Sequence, residues 1–252
     1  MSFNIAHERS KFPSLNLTLH GDPVVFFDNP GGTQVPQRVI DAVSSYYLYK
    51  NANMGGGFMT SDRTDETLHS ARKAMADLLN APDPRNIVFG ANMTTLTFHL
   101  ARSVGRTIRP RDEIIVSDLD HDANVTPWTD LKDLGAVIKT LPLSENCTLD
   151  MEQLAGLVGP KTVLLAITGA SNAVGTMPDI ATAIKIAHSV GAKVFIDAVQ
   201  LAPHAPIDVQ SLDCDFLACS AYKFFGPHVG ILYGKTEWLD ALTPHKVRPS
   251  KN

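Results

Sequence analysis

The chain has 252 residues, 44% of them hydrophobic and 19% charged, which is enough apolar material for one large domain with a sizeable core. Its net charge of −4, with no dominating basic stretch, argues against a nucleic-acid or membrane-surface role. No apolar run is long enough to span a bilayer, the opening MSFNIAHERSKF lacks the apolar core of a secretory signal, and Cys147, Cys214 and Cys219 have no metal-like spacing. The expectation is a cytoplasmic protein in a reducing compartment, without a metal site.

In chain order, VVFFD (24–28) reads as a strand and residues 35–50 as a helix, with Pro36 in its first turn. Residues 62–80 form a stronger helix: Leu68, Ala71, Met75, Leu78 and Leu79 recur at helical spacing, and acids crowd its start. From there the pattern turns regular. Strands are predicted at 86–90, 113–118, 136–143, 161–168, 193–198, 216–220 and 229–234. Helices are predicted between them at 93–104, 123–135, 149–158 and 178–191. Apolar strands without alternation, separated by helices, imply a mostly parallel sheet covered on both faces. Such sheets hold ligands at the carboxyl ends of their strands. The polar residues that follow strands are Asn92 and Thr94, His121, Asn172, Asp197 with Gln200, and Ser220 with Lys223.

Lys223 stands out because CSAYKFFGPHVGILYG sets it between two apolar strands, where an ammonium is costly to desolvate. One reading is a lysine that snorkels at a strand end. The other is a Schiff-base lysine, since a desolvated amine loses its proton more readily and attacks an aldehyde. The cofactor that carries such an aldehyde is pyridoxal phosphate, which needs an acid at its ring nitrogen, donors for its phosphate and a group to hold its ring. Asp197, at the end of KVFID, is a candidate for the acid, or simply a helix cap. Gln200 is placed to reach the ring oxygen, or is an ordinary helix residue. The Asn92-Met93-Thr94 stretch opens a helix whose free N–H groups suit an anion, with Ser220 a further donor. The stretch matches neither a P-loop nor a dinucleotide fingerprint. His121 offers a flat ring for stacking, and Asn172 a hydrogen-bond partner for ring or substrate or a turn former before Gly175.

With SDLDHDANVTPW, ASNAVGT and the run from FIDAVQ to SAYKFFGPHVGILYG in this order, the sequence resembles the class V aminotransferases, fold-type I pyridoxal-phosphate enzymes, and within them the cysteine desulfurase and selenocysteine lyase branch. The resemblance covers about Phe26 to Tyr233. It implies a three-layer α/β/α large domain at residues 23–242, an N-terminal arm at 1–22, and at 243–252 the start of a linker to an absent C-terminal small domain. It also implies that Lys223 forms the internal aldimine and moves the proton, that Asp197 pairs with the pyridinium nitrogen, and that His121 stacks on the ring. Gln200 and Asn172 would face the ring oxygen and substrate, and Ser220 and the Met93–Thr94 backbone would hold the phosphate. A small amino-acid substrate and a homodimer follow from the same resemblance. The chain departs from the branch in three places. Tyr222 stands where it has a phosphate-holding histidine, Asn92-Met93-Thr94 replaces Gly-Thr-Thr, and NMGGGFMT replaces a His-Arg-Gly stretch. No cysteine lies where the sulfur-accepting one would, and Cys219 reads as a core residue. The alternatives are transamination or another lyase reaction, and a truncated domain with weak or no cofactor binding.

Overall fold

The computed structural model describes residues 3–247, so residues 248–252 of the expected linker and residues 1–2 of the expected arm lie outside the described residues. A short hairpin of β1 (Thr18–Leu19) and β2 (Asp22–Pro23) precedes the main sheet. The main strands are β3 (Ile87–Gly90), β4 (Glu113–Ser117), β5 (Val137–Leu141), β6 (Thr162–Thr168), β7 (Lys193–Asp197), β8 (Phe216–Ser220) and β9 (Gly230–Gly234). They lie side by side as β3-β9-β8-β7-β6-β4-β5. β9 runs against both of its neighbours and the remaining pairs are parallel. Apart from β9, every strand of this sheet therefore ends on the same rim.

The helices are α1 (Ile5–Ser10), α2 (Gln37–Tyr49), α3 (Met59–Leu79), α4 (Met93–Gly105), α5 (Thr126–Thr129), α6 (Met151–Leu157), α7 (Ile180–His188), α8 (Val209–Leu212) and α9 (Thr236–Ala241). Successive strand residues point to opposite faces, and here both faces are apolar. Ile115, Ile167, Ile196 and Leu217 pack with α3, α6 and α7 through Leu79, Leu154 and Ile184. Ile114, Ala166, Phe195 and Phe216 pack with α4 and α5 through Leu96, Leu100 and Trp128. The result is a three-layer α/β/α domain. Each fully buried Leu or Ile contributes about 1.5–3 kcal/mol, so the ionisable side chains buried among them stand out as costs to be explained. Among the described residues, no helix is long and apolar enough to cross a membrane.

Local chemistry sets several boundaries. The Asn92 side chain caps α4 by accepting from Thr95 N at 2.8 Å, and Asp150 and Asp179 cap α6 and α7 in the same way. α3 ends at Asn80, whose φ of +51° is the left-handed stop that Asn tolerates. Its start at Met59 lies three residues before the predicted one, because Asp62 belongs to its first turn and does not precede it.

Two expectations are corrected. Residues 24–28 are not a strand: Val25 and Phe27 are exposed, and beyond β2 the segment has no neighbouring strand to pair with. The single helix expected at 123–135 is broken into a 3₁₀ turn at Asp122–Asn124, the short α5, and a second 3₁₀ turn at Asp130–Leu134. Pro127 offers no N–H to continue a regular ladder, and the Asn124 side chain is taken up by tertiary hydrogen bonds.

Gly230 joins the fold to the rim. It pairs with Gly90 across the antiparallel β3–β9 contact, and a Cβ there would collide with the backbone carbonyl group of Asn92. We expect Gly230→Ala to cost about 1–3 kcal/mol by overpacking and to lower the melting temperature by several degrees. An unchanged melting curve would show that the turn at Asn92 yields without cost.

Candidate active site

β8 ends at Ser220, and a 3₁₀ turn at Ala221–Lys223 carries the chain over the rim. Lys223 is 8% exposed. Its Nζ donates to the Pro30 carbonyl and lies 4.7 Å from the Tyr222 ring centroid. The turn is clamped from the N-terminal segment: Thr33 N and Oγ1 donate to Tyr222 O at 2.9 and 3.1 Å, and Phe225 N donates to Thr33 Oγ1 at 2.7 Å. Burial lowers the pKa of Lys223, and the nearby Asp197 opposes that shift.

Asp197 ends β7, the neighbour of β8. It is 4% exposed, and one carboxylate oxygen accepts from Val199 N at 2.9 Å. Among the described residues no donor is paired with the other oxygen. Burial pushes its pKa up to about 6, against the pull of the Val199 N–H, His121 and Lys223.

At the β3 end of the rim, α4 presents its first N–H groups. Met93 N donates to Ser220 Oγ at 2.9 Å, and Asn92 is occupied as the cap. Thr94 lines the cleft and is exposed; its N–H and hydroxyl have no hydrogen-bond partner among the described residues. At the β4 end, His121 is exposed, and its Nδ1 accepts from Ala123 N at 3.0 Å. That bond puts the proton of a neutral ring on Nε2.

One cleft of about 520 Å³, counting its open mouth, is lined by Met93, Thr94, His121, Asn172, Asp197, Gln200, Ser220, Tyr222 and Lys223. Asn92 is not among the residues that line the cleft; its Oδ1 caps α4. Asn172 is exposed in the loop after β6, and Gln200 Nε2 donates to Pro30 O at 3.2 Å. The Tyr222 ring stacks on His228 at 4.2 Å with an interplanar angle of 8°.

Sequence reasoning passed over two contributors. Pro30 gathers Lys223 and Gln200 on one carbonyl; the DNPGGT turn was visible, but its long-range contact was not. Asp120 lies beside His121 with its carboxylate engaged by Ser117 and Asn124. Burial pushes its pKa up to about 7 against those two hydrogen bonds, and the charge of Asp197 adds to the rise. The doubled acids of SDLD were the available signal. No cluster able to hold a metal ion occurs among the described residues.

The sequence model for class V aminotransferases matches residues 25–249. The chain belongs to the class V aminotransferase family. Among curated members, a cysteine desulfurase from Dickeya dadantii is 37% identical over 246 residues, covering 96% of this chain and 60% of that protein. A cysteine desulfurase from Escherichia coli is 38% identical, with 97% and 61% covered. Among solved structures, a cysteine desulfurase from Escherichia coli superposes with a TM-score of 0.85 at 36% identity, covering 96% of this chain and 60% of that one. The apo cysteine desulfurase from Thermococcus onnurineus superposes at 0.89 and 28% identity, with 98% and 61% covered. The chain thus spans about three-fifths of the length of the family members it matches.

Two measurements follow from the site. An Asn at position 197 keeps the bond from Val199 N and removes the charge. A carboxyl with a pKa of 3.8 unfolded and about 6 folded binds more protons in the folded state between those values, so its contribution falls as pH rises through that window. Asp197→Asn is therefore expected to melt like the parent near pH 3 to 4 and higher above pH 6, by on the order of 2–3 kcal/mol of stability in the cofactor-free chain. Equal melting temperatures at pH 7 would contradict the desolvated carboxylate. The cysteines divide by burial. Cys214 and Cys219 are buried, with thiols pushed up to about 12 by desolvation, while Cys147 is partly exposed. A thiol-specific disulfide reagent is expected to modify Cys147 alone in the native chain and all three cysteines in denaturant. Fast native labelling of Cys219 would overturn its reading as an inert core residue.

Proposed function

We propose that residues 23–242 are the cofactor-binding large domain of a pyridoxal-phosphate-dependent enzyme that acts on a small amino acid, as the cysteine desulfurase branch of the family does. The observation that carries this reading is the meeting in one cleft of the buried amine of Lys223, the half-partnered buried carboxylate of Asp197 and the unpartnered N–H and hydroxyl of Thr94. These groups fit a ligand with an aldehyde, a protonatable ring nitrogen and a phosphate. When bound, pyridoxal phosphate supplies an aldehyde that an unprotonated amine captures and a ring that withdraws electron density from a substrate carbon.

In this reading the chain's own residues divide the work. Lys223 is the amine; its desolvation favours the neutral, nucleophilic form, and Nζ is the atom that then holds or moves a proton. Asp197 offers its free oxygen to a protonated ring nitrogen, an ion pair that repays its own burial. His121 covers one face of the ring. Thr94 and the N-terminus of α4 hold the phosphate, with Ser220 fixed against Met93 N, and Tyr222 as a neighbour. Gln200 and Asn172 face the ring oxygen and the substrate side.

The proposal extends to a homodimer, in which a second copy covers apolar residues of α2 such as Ile40, Val43, Tyr47 and Leu48 that are exposed in the single chain. It also extends to a cytoplasmic location, supported by three free cysteines.

The test is direct. The purified chain is mixed with pyridoxal phosphate, reduced with borohydride and digested, and the modified peptide is identified by mass. A single adduct on Lys223, absent from Lys223→Ala, is the expected outcome. Adducts scattered over surface lysines, equal in the two proteins, would refute the reading.

A further inference from the structure

Asp120 is a half-buried acid to which the reading above gives no task. One of its carboxylate oxygens accepts from Asn124 Nδ2 at 2.7 Å, and the other accepts from the Ser117 hydroxyl. Asn124 Oδ1 in turn accepts from Trp128 Nε1 at 3.0 Å, and Trp128 packs edge-on against Phe195 of β7 with ring centroids 5.3 Å apart. Ser117 is the last residue of β4, and Trp128 is completely buried. A continuous chain of side-chain hydrogen bonds therefore runs from the end of the sheet, through Asp120, into the core beneath α5.

His121 follows Asp120 directly. Its backbone carbonyl accepts from Asn124 N at 2.8 Å, and its Nδ1 accepts from Ala123 N at 3.0 Å. The segment that carries the imidazole is thus held by Ala123 and Asn124, the second of which Asp120 ties to Ser117. The ring itself is exposed, and its one hydrogen bond among the described residues is to Ala123 N in this loop. A turn-stabilising acid alone would need only a nearby N–H; Asp120 instead spans two side chains, one on the sheet and one joined to a buried tryptophan.

We infer that Asp120 is the positioning residue for His121: through Ser117 and Asn124 it sets the orientation in which the imidazole covers the cofactor ring. This rests on the reading of the cleft as a pyridoxal-phosphate site. Asn at position 120 preserves the network, accepting from Asn124 through Oδ1 and donating to the Ser117 hydroxyl through Nδ2. Ala removes both bonds.

The experiment compares wild type, Asp120→Asn and Asp120→Ala in two states. In the ligand-free chain, nitrogen-15 NMR of the imidazoles reads the His121 tautomer. Wild type and Asp120→Asn are expected to hold the ring proton on Nε2, and Asp120→Ala to lose that preference. With pyridoxal phosphate, Asp120→Ala is expected to bind roughly tenfold more weakly and to lose much of the circular dichroism induced in the bound cofactor, with Asp120→Asn within about threefold of wild type. Wild-type tautomer, affinity and induced dichroism in Asp120→Ala would overturn the inference, even if its melting temperature fell, since a merely structural role moves stability alone. Failure of wild type to take up pyridoxal phosphate would sink the cofactor reading, and the ligand-free tautomer would then decide the role of Asp120 alone. If Asp120→Ala does not fold, Ser117→Ala removes one of the two ties and is judged by the same tautomer and dichroism readouts.

Discussion

An amine and a carboxylate buried at the ends of two adjacent strands, Lys223 just after β8 and Asp197 as the last residue of β7, set the terms for the rest of this molecule. Neither charge is solvated by bulk water, and desolvation is the largest influence on both, lowering the pKa of one and raising that of the other. A fold can carry such groups only if its remaining surface burial is efficient. The sheet meets that condition by being apolar on both faces, so that the strands contribute to two cores and leave their polar chemistry to the last paired residue and those just beyond it. The reversed strand β9 closes the arrangement. Lying between β3 and β8, it brings the start of α4 within hydrogen-bonding reach of Ser220.

The order of the strands and the residues that follow them were legible in the sequence because buried parallel strands are continuous apolar runs. KVFID and FLACS could be read as strands, with Asp197 and Ser220 at their ends and Lys223 just beyond the second. The contribution of the N-terminal segment was not legible. VVFFD has strand-like composition, yet pairing requires a free edge beside it, which no local pattern reports. The Pro30 carbonyl that receives Lys223 and Gln200 comes from more than a hundred and fifty positions away in the chain, and the stacking of Tyr222 on His228 depends on the turn between them. Asn92 had two readings in the sequence, anion donor or helix cap; its Oδ1 is the cap that starts α4, which leaves its Nδ2 donors uncommitted.

Two buried aspartates make the distinction between holding a fold together and leaving it open. Asp215, just before β8 at the other end of the sheet, is 2% exposed and accepts from Val194 N, His188 Nε2 and Trp238 Nε1, each at 2.8 Å. Lys235 Nζ stands 3.5 Å from it. Those bonds tie β7, α7 and α9 to one carboxylate, and with its lone pairs satisfied the burial of Asp215 is compensated inside the protein. Asp197 is buried to a similar degree at the far end of β7, yet among the described residues only Val199 N is paired with it. In the sequence both are an aspartate at the edge of an apolar run. In the fold the first has both oxygens paired, and the second has one oxygen paired and one without a donor among the described residues. That unpaired oxygen on a buried carboxylate is what distinguishes the Asp197 end of the sheet from the Asp215 end.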